Sequence, residues 1–347
     1  MTEEGLTQFT HHDQLHSNAG VQTCTPSTHV PCLGGIADDY ETRCSVKSVH
    51  EVISQFDSAK RELVKSIGFG GLLQFPALTE INRNLAVWLL RKADVNSQSI
   101  VIDHSRIFTF SKEDVKLAFG IPAAGKRVMQ IESGCPGSQV AYVRSCLNLT
   151  GKDSRCEKAA QEVLQRQYYT AMHAEEKASF KVAFVVFFFV MATLFAPPSK
   201  HDHSRTDFWA ALGRPNEIGS YDWSSYVIGH LLFAAAKLQS DLTKNIHSPL
   251  ITGCILFLQV LYLGSIDLGV LNMPHNSFPR SQWFTPERIR AMLAADTVHN
   301  LRGMPRPSAE VCYTWAKMSG RAQQHSTTTR LFDAAMHWVS VLNISEE

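Results

Sequence analysis

The chain has 347 residues, of which 44% are hydrophobic and 19% are charged. This composition is typical of a folded protein with a large core, and it excludes a mainly disordered chain. The formal net charge is +1, so the charge of the whole chain gives no support for binding to nucleic acid.

Residues 1–45 are rich in Thr, His, Ser and Gly and show no helical period, which predicts a disordered leader. The leader contains histidines close to two cysteines, but their spacing matches no zinc finger: His11, His12, His16, His29, Cys24 and Cys32. The eight cysteines of the chain include no C-x-x-C pair, which favours a reducing compartment over a disulfide framework. No secretory signal is recognised at the N-terminus.

Order is predicted to begin near Val46, because apolar residues recur at helical spacing from Val49 to Val64. The glycines of Gly68–Gly71 predict a tight turn in which two backbone segments approach closely. A helix is predicted over Leu78–Arg91.

A β-hairpin is predicted from Ile100–Asp103 and Arg106–Phe110, and Arg127–Ile131 is a candidate further strand. Between them, Ser111 and an acid three residues later predict a capped helix that ends at Gly120.

The stretch Gly120–Lys126 nearly matches a phosphate-binding loop. However, Arg127 stands where the loop needs Ser or Thr to bind Mg²⁺, and a helix rather than a strand is predicted before it. We therefore interpret these glycines as architectural.

The next segments are predicted to be mainly helical after an irregular surface excursion at Glu132–Ser154. Asp222 or Ser220 is the predicted N-cap of one of these helices. The other helices are predicted at Cys156–Tyr169, Glu175–Phe195, Pro249–Leu263, Pro286–Asp296, Ala309–Met318 and Thr328–Leu342. Lys200-His-Asp-His203 lies in a polar loop and is interpreted as exposed rather than metal-binding.

Val182–Ala196 is an unbroken run without charge. As a helix its fifteen residues span about 22 Å, which is less than the roughly 30 Å hydrocarbon core of a bilayer. We therefore expect a buried helix inside a helical domain and no membrane association.

Several segments, taken together, resemble the plant mobile domain over about residues 50–300. They are Ile67–Leu73, Asn84–Leu90, Phe108–Val115, Phe119–Pro122, Phe195–Pro198, Tyr221–Tyr226, Gly253–Leu263 and Pro279–Arg280. The resemblance implies a nuclear protein that is transposon-derived or acts in transposon silencing, gene silencing and development, with a phosphatase-like protein partner. The chain departs from some relatives because no His…Asp…Cys protease module follows.

The expected fold class is mainly α: a large helical domain over 46–300 with a small β-hairpin element, followed by a C-terminal helical extension over 301–347. Within it we expect a non-enzymatic nuclear protein-interaction domain. Candidate partner contacts are aromatic residues at loop positions and one arginine, namely Phe208, Trp209, Trp223, Trp283 and Arg280. The alternative for the aromatic residues is inward packing.

No catalytic residue, cofactor or metal is expected. Pyridoxal phosphate, which the label "aminotransferase-like" of the resembled family implies, needs a lysine within a cofactor frame, and neither Lys126 nor Lys237 has one. His230 and Cys254 lie on neighbouring apolar helices, but a thiol in apolar surroundings is inert.

An alternative function is a transposon-encoded accessory protein that binds nucleic acid through residues 278–330. This segment carries eight basic and three acidic residues. A solvated helical surface explains the same charges.

Overall fold

The computed structural model describes residues 41–42, 46–104, 106–129, 136–150, 156–191, 195, 207–246, 249–274 and 276–301. These residues form a mainly α structure, which confirms the predicted fold class. The helices are α1 (Val46–Ser54), α2 (Ser58–Ser66), α3 (Arg83–Lys92), α4 (Lys112–Phe119), α5 (Pro136–Cys146), α6 (Cys156–Gln165), α7 (Ala174–Val186), α8 (Trp223–Thr243), α9 (Ile255–Ser265) and α10 (Pro286–Leu301). Short helical turns lie at Gly70–Gln74, Phe187–Met191, Trp209–Leu212, Ile218–Ser220, Gly269–Leu271 and Arg280–Trp283.

Two small sheets accompany the helices. In one, β1 (Glu41–Thr42) pairs in parallel with β5 (Leu250–Ile251). In the other, β2 (Ala93–Asp94), β3 (Ser99–Asp103) and β4 (Arg106–Thr109) are antiparallel in the order β2-β3-β4. The predicted hairpin is therefore confirmed as β3 and β4.

The strand predicted at Arg127–Ile131 is wrong for its described residues, which are 127–129. The third strand of the sheet is β2 instead. The backbone of Lys126 explains this difference. Its N–H donates to Ser220 O (2.9 Å) and its carbonyl accepts from Asp222 N (2.8 Å), so it pairs with the segment before α8 rather than with the hairpin.

The boundaries of the sequence-based domains fall within or beside ordered elements. Glu41 and Thr42, which we assigned to the leader, form β1, whereas residues 1–40 lie outside the described residues. Helix α10 continues through the boundary at 300 to Leu301. The predicted helices Ala309–Met318 and Thr328–Leu342 lie outside the described residues.

Local capping signals predicted helix ends well. Ser111 and Asp114 form the capping box of α4, and Gly120 ends this helix with φ +65°. Asp222 is the N-cap of α8, where its carboxylate accepts from Ser225 N at 2.9 Å. These side chains satisfy N–H groups that have no partner within the helix.

The irregular excursion predicted for Glu132–Ser154 is wrong in part, because α5 occupies Pro136–Cys146. Gly137, Ser138 and Ser145 obscured the helical pattern. Val143 is fully buried, and α5 packs against α7 and the turn Trp209–Leu212. Tertiary packing rather than intrinsic propensity therefore determines this helix.

The apolar run after Lys181 forms the centre of the core. Every residue from Val182 to Phe189 is buried without measurable exposure. The rings of Phe184 and Phe188 lie 4.6 Å apart, and that of Phe189 lies 4.9 Å from Trp223 on α8. In the part of the chain that the structure describes, no helix has the length and apolar character needed to cross a bilayer.

Glycines join three backbone segments beside this core. A Cβ on Gly71 would overlap Phe119 O and lie 2.6 Å from Gly120 Cα. Gly125 has φ +108°, and a Cβ there would overlap the carbonyl of Ser220. The turn after α2, the end of α4 and the entry to α8 consequently approach at distances that only glycine permits.

We expect Gly71→Ala to lower the free energy of unfolding by about 3 kcal/mol, because the added methyl group meets rigid backbone on the facing segment. Urea denaturation followed by circular dichroism measures this loss. Gly137→Ala is the control. A Cβ at this position in α5 has no neighbour within 4 Å, so stability should stay constant or rise by up to about 1 kcal/mol. Equal midpoints for Gly71→Ala and the unmodified chain would contradict the steric argument.

Candidate interaction surface

The segment 266–285 between α9 and α10, here called the α9–α10 loop, exposes large apolar side chains. Val270 is 99% exposed and Phe278 is 40% exposed. Trp283 on the same loop is half-buried and packs against the edge of the core. Exposed apolar groups on a loop are a common feature of protein-binding surfaces.

Hydrogen bonds within the loop fix its first turn. Asn272 Oδ1 accepts from Leu268 N at 2.8 Å, and Asn272 Nδ2 donates to Asp267 Oδ1 at 2.6 Å. The same carboxylate oxygen accepts from Gly269 N at 2.9 Å. These contacts hold the backbone on both sides of Val270.

Two arginines attach the loop to its surroundings. Arg280 Nη1 donates to Pro274 O at 2.7 Å, and Arg288 Nη2 on α10 donates to Leu271 O (3.1 Å) and Asn272 O (3.3 Å). Charged donors strengthen hydrogen bonds to backbone carbonyls. The loop therefore has a defined conformation although its apolar side chains face solvent.

Three of the five sequence-predicted contact residues lie in the core instead of on the surface. Trp209 is 2% exposed, and Phe208 and Trp223 have no measurable exposure. The Trp223 indole donates to Ile218 O at 2.7 Å, and its ring packs against Phe69 at 5.9 Å. This corrects the expectation that they contact a partner directly, since buried rings offer no surface. Phe208 precedes the short turn Trp209–Leu212, and Trp223 is the first residue of α8 rather than a loop residue.

Arg280 is also buried, at 3% exposure, and its loop contact is structural. Burial lowers the pKa of its guanidinium. Trp283 is the one predicted contact residue that retains exposed surface, so for this residue partner contact stays a prediction. Val270 and Phe278 were missed because sequence pattern does not distinguish an exposed apolar side chain from a buried one.

Two other buried polar side chains, Lys60 and Tyr262, form hydrogen bonds within the fold. Lys60 on α2 donates from Nζ to Leu164 O and Arg166 O, both at 2.8 Å, at the end of α6. Burial lowers the pKa of Lys60, and the nearby charge of Asp57 offsets only part of this shift. Tyr262 donates to Asp296 Oδ2 on α10 at 2.9 Å. Burial, followed by the Asp296 charge, raises the Tyr262 pKa well above its usual value.

The lysines considered for pyridoxal phosphate lie in ion pairs. Lys126 Nζ is 3.7 Å from Glu217 Oε2, and Lys237 Nζ is 3.1 Å from Asp241 Oδ2. His230 and Cys254 are both buried, and the ring of His230 lies 4.4 Å from that of Tyr226.

Among the residues that the structure describes, no group of three His, Cys, Asp or Glu side chains is arranged to hold a metal ion. The histidines of the leader and of 200–203 lie outside that part of the chain.

The basic segment 278–330 is described only as far as Leu301. Its three described arginines have intramolecular contacts: Arg280 and Arg288 bind loop carbonyls, and Arg290 lies 3.4 Å from Glu287. The described part of the segment thus gives no added support for nucleic-acid binding. Residues 302–330 lie outside it.

The family model described as "Domain of unknown function (DUF8566)" matches residues 42–259. This match covers more than half of the chain, so the protein belongs to that family. It begins at β1 and ends within α9, and it therefore includes the glycine contacts and the aromatic core but not the α9–α10 loop.

The resemblance to the plant mobile domain is corrected by this result, since the matching family is a different one, of unknown function. The segments that carried the resemblance are short apolar and glycine-containing stretches, which the fold uses for its core and its close backbone contacts. No curated protein and no solved structure matches the chain.

We expect Arg288→Gln to loosen the α9–α10 loop, because the shorter amide removes both bonds to Leu271 O and Asn272 O. A loss of about 1.5 kcal/mol corresponds to roughly tenfold faster amide exchange over 268–274. Hydrogen–deuterium exchange with mass spectrometry measures this rate.

Arg290→Gln is the matched control, because Arg290 and its partner Glu287 are both 75% exposed and the pair contributes little. The inference that Arg288 fixes the loop is wrong if the amides of 268–274 exchange at the same rate in both variants and in the unmodified chain.

Proposed function

We propose that this protein is a binding module that contacts another protein through the apolar side chains of the α9–α10 loop. It acts through this contact rather than through covalent chemistry. The observation that carries the proposal is Val270, which is 99% exposed on a turn whose backbone is fixed on both sides.

A turn whose backbone is fixed by hydrogen bonds favours binding in two ways. The backbone around Val270 loses little freedom on association, because Asn272 and Arg288 already hold it. Burial of the exposed side chains then contributes roughly 25 cal/mol for each Å² of apolar surface removed from water. A partner with an apolar pocket suits Val270 and Phe278 best.

The supporting features are all on the surface of the loop rather than in a site for catalysis. Buried Lys60, Tyr262 and Arg280 bond to the end of a helix, to another helix and to a loop carbonyl, respectively. Nuclear action, a transposon-related origin and a phosphatase-like partner were expected only from the plant mobile domain resemblance. The described residues add no support for them, so they are not part of the proposed function.

We expect Val270→Asp to abolish partner binding without unfolding the chain, since the substitution adds a charge at a position that is fully in solvent. The purified full chain, crosslinked in an extract of its source organism, should capture specific proteins that the Val270→Asp variant does not capture. Quantitative mass spectrometry compares the two sets.

Tyr169→Asp provides the control, because Tyr169 is 98% exposed and lies between α6 and α7, away from the loop in sequence. It should capture the same proteins as the unmodified chain. The proposal fails if Val270→Asp captures the full set, or if Tyr169→Asp loses the same proteins.

A further inference from the structure

Helix α10 packs against the rest of the structure by one face. Among its described side chains, Ile289, Met292 and Asp296 are buried, and their spacing of three and four residues places them on the same side of the helix. The opposite side, which includes Glu287 and Arg290, is exposed. A helix that contributes so few buried side chains opens locally at a lower cost in free energy than a central helix such as α9.

The contact between Asp296 and Tyr262 of α9 stabilises the docked position of α10. Asp296 Oδ2 accepts from the Tyr262 hydroxyl at 2.9 Å. Tyr262 is buried, and its ring packs edge-to-face against Trp88 on α3 (5.6 Å) and Phe108 on β4 (5.9 Å). A buried carboxylate is costly unless hydrogen-bond donors replace the water that it loses. The phenol, which is fixed by its neighbours, supplies such a donor only while α10 is docked.

Arg288 connects the same helix to the α9–α10 loop. Arg288, Met292 and Asp296 are four residues apart and form one row along α10, with about 12 Å of helix between the first and the last. Arg288 Nη2 donates to Leu271 O at 3.1 Å and to Asn272 O at 3.3 Å. Because two turns of helix move together as a rigid body, loss of the Asp296 contact withdraws Arg288 from the loop as well.

We propose that α10 is a conformational switch for the α9–α10 loop. Docking of Asp296 on Tyr262 holds the loop in its binding conformation, and release of α10 removes that constraint. This inference rests on the proposed function of the loop and adds its regulation. When α10 is released, association has to order the turn around Val270, so the partner binds more weakly. An interaction that favours either position of α10 thus changes the affinity at the loop without contacting Val270.

Tyr262→Phe tests the coupling, because it removes the hydroxyl and keeps the packed ring. Loss of one hydrogen bond to a charged acceptor should make amide exchange over 289–296 of α10 about tenfold faster. Exchange over 268–274 should rise by about the same factor, because the loop opens with the helix. Tyr226→Phe is the matched control. It removes another tyrosine–aspartate hydrogen bond, from Tyr226 on α8 to Asp207 at 3.0 Å, and should change neither rate.

The double variant of Tyr262→Phe and Arg288→Gln tests whether Arg288 transmits the effect. Since Arg288→Gln already removes the bonds to the loop, the loop should exchange little faster in the double variant than in Arg288→Gln alone. Exchange over α10 should still be faster in the double variant. The inference is overturned if Tyr262→Phe leaves exchange over 268–274 unchanged, or if Tyr226→Phe raises it equally.

Capture from the extract distinguishes failure of this inference from failure of the proposed function. Tyr262→Phe should recover less of the proteins whose capture requires Val270. Undiminished recovery overturns the switch and leaves the loop as a binding surface. If Val270→Asp captures the full set, the proposed function fails and its regulation fails with it.

Discussion

The close approach of backbone at Gly71, Gly120 and Gly125 is the constraint on which the arrangement of the core depends. These residues bring together the turn after α2, the end of α4 and the entry to α8 without intervening side chains. Hydrogen bonds between Lys126 and the residues Ser220 and Asp222 then join two of the segments. Because the contact is between main chains, it has little freedom to adjust, and it sets the position of α8 relative to α4.

The aromatic core follows from that placement. Asp222 begins α8 beside the junction, and the next residue, Trp223, contacts Phe69 from the first glycine turn and Phe189 from the apolar run. Rings at such separations favour edge-to-face and tilted geometries, which adds stabilisation beyond area burial. Trp223, which the sequence analysis assigned to a partner surface, thus connects three parts of the chain.

Local signals in the sequence predicted the fold class, the hairpin and the caps at Ser111 and Asp222, since each depends on neighbours a few residues away. They did not predict α5, which has poor intrinsic propensity and is stabilised by packing of Val143. Sequence pattern also gave no sign of which aromatic residues are exposed. Trp209 is 2% exposed and Val270 is 99% exposed, although both lie in short helical turns.

Polar and charged side chains donate to backbone carbonyls both in the core and in the α9–α10 loop, but the neighbouring apolar side chains are buried in one and exposed in the other. In the core, the buried nitrogens of Lys60 and Trp223 donate to backbone carbonyls, which offsets the cost of removing them from water. In the loop, Arg288 donates to backbone carbonyls, which fixes the main chain, and the side chain of Val270 is 99% exposed. Rigid backbone with uncovered apolar side chains is costly for an isolated chain and favourable in a complex, since association buries that surface with little further ordering.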